Sequence, residues 1–169
     1  MTSPSDLLYT NELTSELLCV LETSPFTKQQ LSTFNVQAMA TVTQQQTFAK
    51  AHPPIAIYRM AAEGSQTRRG GVVKQATGSV EFKLDNDQQV RAARTGDYVV
   101  YPDGAQAQII TGAGKGNNNV ALVGSYLSNG DEIINTPQGA ALIIRRKGVE
   151  KAEDFLPPFE KAASTLGTV

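Results

Sequence analysis

Few side chains in this 169-residue chain carry types or spacings that chemistry could use. The one histidine, His52, could serve as a general base, but it stands directly before Pro53 and Pro54. No Gly-x-Ser-x-Gly or comparable nucleophile motif accompanies it, so a linker position on the surface is the expected role. The one cysteine, Cys19, has no partner for an internal disulfide and lies in a leucine-rich stripe, where a small buried hydrophobe is expected. Gly112-Ala113-Gly114-Lys115-Gly116 invites a phosphate-loop reading. That motif needs Gly-x-x-x-x-Gly-Lys followed by Ser or Thr, whereas Ile109 holds the first glycine's place and Gly116 follows the lysine. A connection between strands accounts for it better. Asp85-Asn86-Asp87 has the start of a calcium loop without the later glycine and glutamate, which predicts a hairpin turn. Asp97 and Asp131 follow Gly96 and Gly130, 34 residues apart, and paired carboxylates could share acid-base work. Turn chemistry explains the pairs more simply, because glycine reaches positive φ and the aspartate side chain can bond nearby amides. Nothing here predicts an enzyme.

The elements that would position these residues fall into three regions. Residues 1–54 predict a helical extension. Ser3 can cap a helix over 3–22 with Pro4 in its first turn, and Leu7, Leu8, Leu13, Leu17, Leu18 and Leu21 recur at helical spacing. Thr27 and Gln30 have capping-box spacing for a second helix from Thr27 to about Lys50, which His52-Pro53-Pro54 ends. From Ile55 to Ile144 glycine becomes frequent and apolar residues come in short Val and Ile runs, which predicts many short strands joined by tight turns within residues 55–146. Residues 147–169 predict a short helix, a stop at Pro157-Pro158 and a tail. The expected class is mainly β, and α+β overall.

Composition narrows the partners. Fifteen Lys and Arg against sixteen Asp and Glu leave a formal charge of -1, so there is no basic field to attract nucleic acid or anionic lipid. The acidic start, MTSPSDLLYTNE, does not suit a signal peptide, and no apolar run approaches the ~20 residues of a membrane span. A cytoplasmic protein is expected, or one that leaves without a cleaved signal.

One phrase recurs along the β-rich region. RGGVVKQATG (69–78), DGAQAQIITG (103–112) and QGAALIIRR (138–146) align with leading glycines Gly70, Gly104 and Gly139 at intervals of 34 and 35 residues. Gly96-Asp97 and Gly130-Asp131 precede the second and third copies. Periods of this length signal stacked or radial arrays, and three copies around an axis would let one chain imitate a three-subunit ring.

Arg91-Ala92-Ala93-Arg94-Thr95-Gly96-Asp97 resembles the phrase of the family named for Pro-Ala-Ala-Arg, with Arg91 where that family has proline. Arg69-Gly70-Gly71 is similar to its His-Gly-Gly start, Tyr101-Pro102-Asp103-Gly104 to its Cys-Pro-x-x-Gly turn, and Gly130-Asp131 with Gly139-Ala140 to its closing repeat. The resemblance covers about half the chain, residues 60–146. It implies a PAAR-like spike tip: a small cone of short strands with pseudo-threefold repeats. Such a tip would be non-enzymatic and cap, one chain per trimer, the homotrimeric spike of a type VI secretion or related contractile injection apparatus. It would be cytoplasmic before firing and then exported. Gly70, Gly71, Arg94, Gly96, Asp97, Gly104, Gly130, Asp131 and Gly139 would shape the fold and meet the partner. The N-terminal helices would dock an effector or adaptor. Zinc, which the family commonly holds near the apex, is not favoured here, because Arg69 and Tyr101 stand where ligands would be expected. A small-ligand or glycan-binding β-domain built from the same short strands is the alternative, against which stand the absence of Trp and an aromatic content of only 7%.

Overall fold

The computed structural model describes residues 8–160 and 162; the expected helix start at Ser3 and Pro4 and the tail beyond 162 lie outside the described residues. The chain is mixed α+β and divides into two compact units; its named elements among the described residues include three α-helices and three small two-stranded sheets. Among the described residues no helix is long and apolar enough to cross a membrane.

One unit comprises residues 12–57 and 144–150. Its helices are α1 (Ser15–Glu22), α2 (Lys28–Ser32) and α3 (Val36–Ala51). The first is shorter than its leucine spacing predicts because Thr14 caps it, accepting a hydrogen bond from the Leu17 N–H at 3.1 Å. The capping box expected at Thr27 and Gln30 forms, with both reciprocal bonds present. The single helix expected from Thr27 to about Lys50 is nevertheless broken. The Asn35 side chain takes the Ala38 N–H at 2.7 Å and starts a new helix, the local competition by which asparagine prefers caps to helix interiors. Of the three helices only α3 has a buried residue, Val42. Cys19 is accordingly exposed, not buried as its leucine-rich surroundings predict. His52 ends α3 and its Nδ1 lies 2.8 Å from the Lys147 carbonyl oxygen.

The other unit contains residues 8–11, 58–143 and 151–160. Strands β1 (Pro54–Arg59) and β6 (Leu142–Arg146), which pair with each other, each have residues in the ranges of both units. The hairpin of β2 (Glu81–Lys83) and β3 (Gln89–Arg91) turns through Asp85-Asn86-Asp87 as the sequence predicts, with Asp87 at φ 66. Strands β4 (Tyr98–Val100) and β5 (Gln106–Gln108) make a second antiparallel pair.

Three segments of this unit share one bonding scheme. Each begins with a turn in which a Ser or Asp side chain accepts a backbone N–H three residues upstream: Ala62 to Ser65, Arg94 to Asp97 and Leu122 to Ser125, at 2.9–3.0 Å. The glycine before each acceptor, Gly64, Gly96 or Gly124, has φ near +100, a region that only glycine occupies cheaply. Each segment then runs out to a tip, where Gly70, Gly104 or Gly130 donates to the carbonyl three residues earlier, and returns. Gly64, Gly96 and Gly124 donate to Val73, Ile109 and Ile133, which donate back to Ser65, Asp97 and Ser125.

The segments bond one another in a circle. Val72 and Val100 exchange both backbone bonds, Ile110 and Ser128 donate to Tyr126 and Gln108, and Ile134 and Arg68 donate to Gln66 and Glu132. The circle is closed most tightly by three alanines. The Ala61 N–H donates to the Ala121 carbonyl at 2.8 Å, Ala93 to Ala61 at 2.9 Å, and Ala121 to Ala93 at 2.9 Å. All three have 0% exposure, so a larger side chain has no space there. Val73, Val99, Ile109, Leu127 and Ile133 fill the interior with them.

This scheme corrects the register drawn from the sequence. Gly139 has no tip geometry; it lies against the Tyr9 ring, where a Cβ would approach ring carbons to 2.6 Å. The third tip belongs to Gly130. Gly130-Asp131 is therefore no counterpart of Gly96-Asp97, whose equivalents are Gly64-Ser65 and Gly124-Ser125. The even spacing of 34 misleads because the second segment, from Asp97 to Ile109, is four residues longer than the other two. A further difference lies near the C-terminus. The helix expected soon after Arg146 appears only at Phe159–Glu160, because Phe155 is drawn into an apolar cluster with Tyr58, Met60, Phe82 and Leu122.

Candidate functional site

The three tips meet in a polar cluster. The Tyr101 hydroxyl donates to Asp131 Oδ2 at 2.6 Å and accepts from Asn129 Nδ2 at 3.0 Å. Asp131 Oδ1 accepts the N–H groups of Glu132 and Arg69 at 2.8 and 3.2 Å, and the Thr67 hydroxyl also bonds the carboxylate. One segment thus supplies Thr67 and Arg69, the second Tyr101, and the third Asn129 and Asp131. Asp131 is 2% exposed. Burial pushes its carboxyl up, but the hydrogen bonds from Thr67, Tyr101 and the two amides together outweigh burial and hold it below the usual carboxylate range. The Tyr101 hydroxyl is pushed up, first by burial and then by its bond to Asp131. A charged acceptor with several donors is a strong tie between segments that share no continuous ladder.

A second cluster braces the other end of the second segment. Asp97 Oδ1 accepts the Thr77 hydroxyl at 2.6 Å, and Oδ2 accepts the Thr77 and Arg94 N–H groups at 3.0 Å each. Arg94 returns its Nε to Thr77 Oγ1 at 2.9 Å. Glu63 braces the preceding segment in the same manner, accepting the N–H groups of Arg91 and Ala76.

The expected site residues are therefore divided. Gly70, Gly104 and Gly130 form the tips. Gly71 packs beneath them, where a Cβ would overlap Val99 and reach Thr67 Oγ1 and Tyr101 at 3.0 Å. Asp131 ties the tips together, while Arg94, Gly96 and Asp97 build the turn and its brace. Gly139 belongs to neither, since it seats the Tyr9 ring. Asp97 and Asp131 lie in separate hydrogen-bond clusters and share no proton. Sequence reasoning missed the alanine circle, Thr67, Thr77 and Glu63. The signal for the circle is Ala-x-x-Gly-Ser/Asp at Ala61, Ala93 and Ala121.

The residues at the tips do not suit the zinc site that the family resemblance brings with it. Tyr101 and Arg69 supply a phenol hydroxyl and a guanidinium, and the Asp131 carboxylate between them is already filled with donors. Among the described residues no group of three or more His, Cys, Asp or Glu could hold a metal ion. Comparison with protein-family models, curated proteins and solved structures gives no match.

Proposed function

We propose that this chain is a non-enzymatic tip protein that caps the trimeric spike of a type VI secretion or related contractile injection apparatus. In this reading the three segments form pseudo-threefold repeats of a small tapered cone. The observation that carries it is the circuit Ala61–Ala121–Ala93, in which each segment donates one backbone bond and accepts one. Such a circuit gives a single chain three related edges, which is what the blunt end of a homotrimer needs from a monomeric cap. Seating the cap would also cover strand edges that otherwise template aggregation. The chain would be cytoplasmic before firing and exported with the spike.

The helices suit the accessory role of holding an effector or adaptor. The first two have no buried residue, Val20 and Phe48 are exposed, and a cleft of about 720 Å³ lies among Leu21, Phe26, Val42, Ala49 and Pro53.

Mixing the purified protein with a trimeric β-helical spike protein tests the cap. A complex of one chain per trimer, measured by light scattering, is expected; no complex, or three chains per trimer, would sink the proposal. The tip cluster is proposed to need no metal. Elemental analysis of protein purified without chelator should find far less than one metal ion per chain, and one zinc per chain would overturn that claim.

A further inference from the structure

Asn129-Gly130 stands at the third tip, and it is the one place in the sequence where glycine follows asparagine. That pair has a chemistry of its own. The backbone nitrogen of Gly130, once deprotonated, can attack Cγ of the Asn129 side chain; the bond to the side-chain nitrogen then breaks, ammonia leaves, and a succinimide ring closes. Water opens the ring at either carbonyl, leaving aspartate or the isomer whose main chain runs through the side-chain carbon. No oxidant, reductant or second protein takes part. Glycine favours the attack because it has no Cβ to crowd the nitrogen or to limit the backbone rotation that ring closure needs.

Exposure favours the reaction, and bonding opposes it. Asn129 is exposed, but its side chain is held at both ends: Nδ2 donates to the Tyr101 hydroxyl at 3.0 Å, and Oδ1 accepts the Asp131 N–H at 3.0 Å. The nucleophile is engaged as well, since the Gly130 N–H donates to the Leu127 carbonyl at 2.9 Å. Arg69 Nη1 holds the Asn129 carbonyl at 3.2 Å. Bringing Cγ onto the Gly130 nitrogen breaks the bond to Tyr101 and the turn bond together, so the reaction waits on local opening of the tip. Asn86, Asn117, Asn118 and Asn119 are exposed too, yet each is followed by a residue with a side chain.

The product does not fit the place the amide leaves. As an amide, Asn129 gives the Tyr101 oxygen a donor and leaves the Tyr101 hydrogen to Asp131 Oδ2 at 2.6 Å. As a carboxylate it has no N–H to give, and it competes with Asp131 for that one hydrogen, setting two anions across a single hydroxyl. We propose that Asn129-Gly130 is a self-deamidation site, kept unreacted by the bonds of the closed tip and converted when the tip opens, and that conversion keeps the tip from closing as before.

The test incubates the full chain at mildly alkaline pH, folded and in urea, and follows each asparagine by peptide mass spectrometry. Tyr101→Phe removes one bond that holds the amide, and Asn129→Asp installs the product. Asn129 should convert before the other asparagines in urea, on the order of tenfold more slowly in the folded parent, and several-fold faster in folded Tyr101→Phe than in that parent. Asn129→Asp should unfold at a lower urea concentration than the parent at neutral pH. Another asparagine converting ahead of Asn129 in urea would overturn the site. A folded parent that reacts as fast as the unfolded chain would overturn the protection, as would a folded Tyr101→Phe no faster than the parent. An Asn129→Asp chain as stable as the parent would overturn the consequence. The parent's two rates and the Asn129→Asp midpoint decide the proposal even where Tyr101→Phe does not fold.

Discussion

Replacing Asp131 by alanine should lower the unfolding free energy by about 3 kcal/mol, because the change removes the shared acceptor of four donors in a buried place. The Tyr101 and Thr67 hydroxyls and the Arg69 and Glu132 amides would lose a charged partner together. Tyr101→Phe removes one donor and should cost about 1.5–3 kcal/mol. The double variant should cost less than the two singles added, because the Tyr101–Asp131 bond at 2.6 Å is lost once, not twice. The linkage to pH has a definite sign. The Asp131 carboxyl titrates lower in the folded chain than in the unfolded one, so its contribution is present above the ordinary carboxylate range and fades as pH falls through the folded value. Tyr101 behaves oppositely: its hydroxyl is pushed up on folding, so its contribution is present below the ordinary tyrosine range and fades as pH rises through the folded value. Asp131→Asn should therefore flatten the acid limb of a stability profile measured by urea denaturation and also weaken the alkaline limb, of which the part due to burial of Tyr101 remains. An acid limb unchanged in Asp131→Asn would show that the tip cluster does not hold the segments together.

Much of the local structure was legible, and for identifiable reasons. The Thr27–Gln30 capping box and the Asp85-Asn86-Asp87 turn are local devices, decided by residues within four of one another. Frequent glycine with short Val and Ile runs conveyed short strands in the middle of the chain because both features answer to backbone geometry alone. The register of the recurring phrase was misjudged because it was matched on glycines without their roles. Glycine serves two purposes here. At Gly70, Gly104 and Gly130 it supplies positive φ at a tip; at Gly78, Gly112 and Gly139 it leaves space for a neighbouring atom. Spacing cannot tell these apart. The alanine circle was missed for a related reason, since alanine carries no chemical signal and its importance comes from bonds between residues 28 to 60 positions apart. The helix break at Asn35 turns on a local cap that competes with helix propensity, whereas the exposure of Cys19 belongs to tertiary context, since the leucine stripe finds little to bury against.

The second kind of glycine yields the other large expectation. Gly78→Ala should destabilise the protein by roughly 3 kcal/mol, near the upper end of what overpacking usually costs. The new Cβ would overlap the Ala92 carbonyl oxygen and lie 3.0 Å from its carbon, and that carbonyl already accepts the Gly78 N–H at 2.9 Å. Neither side can withdraw: Ala92 adjoins Ala93, whose backbone is fixed in the circle with Ala61 and Ala121. Gly104→Ala makes the informative contrast. A Cβ there meets nothing within 4 Å, so the only penalty is the conformational one for alanine at φ 87, about 1 kcal/mol. Both glycines stand in the aligned phrase, yet chemical denaturation should separate them by about 2 kcal/mol. Equal losses would mean that turn strain alone sets the glycine requirement. The expected order would locate the rigidity of this unit in the close backbone approach beside the alanine circle.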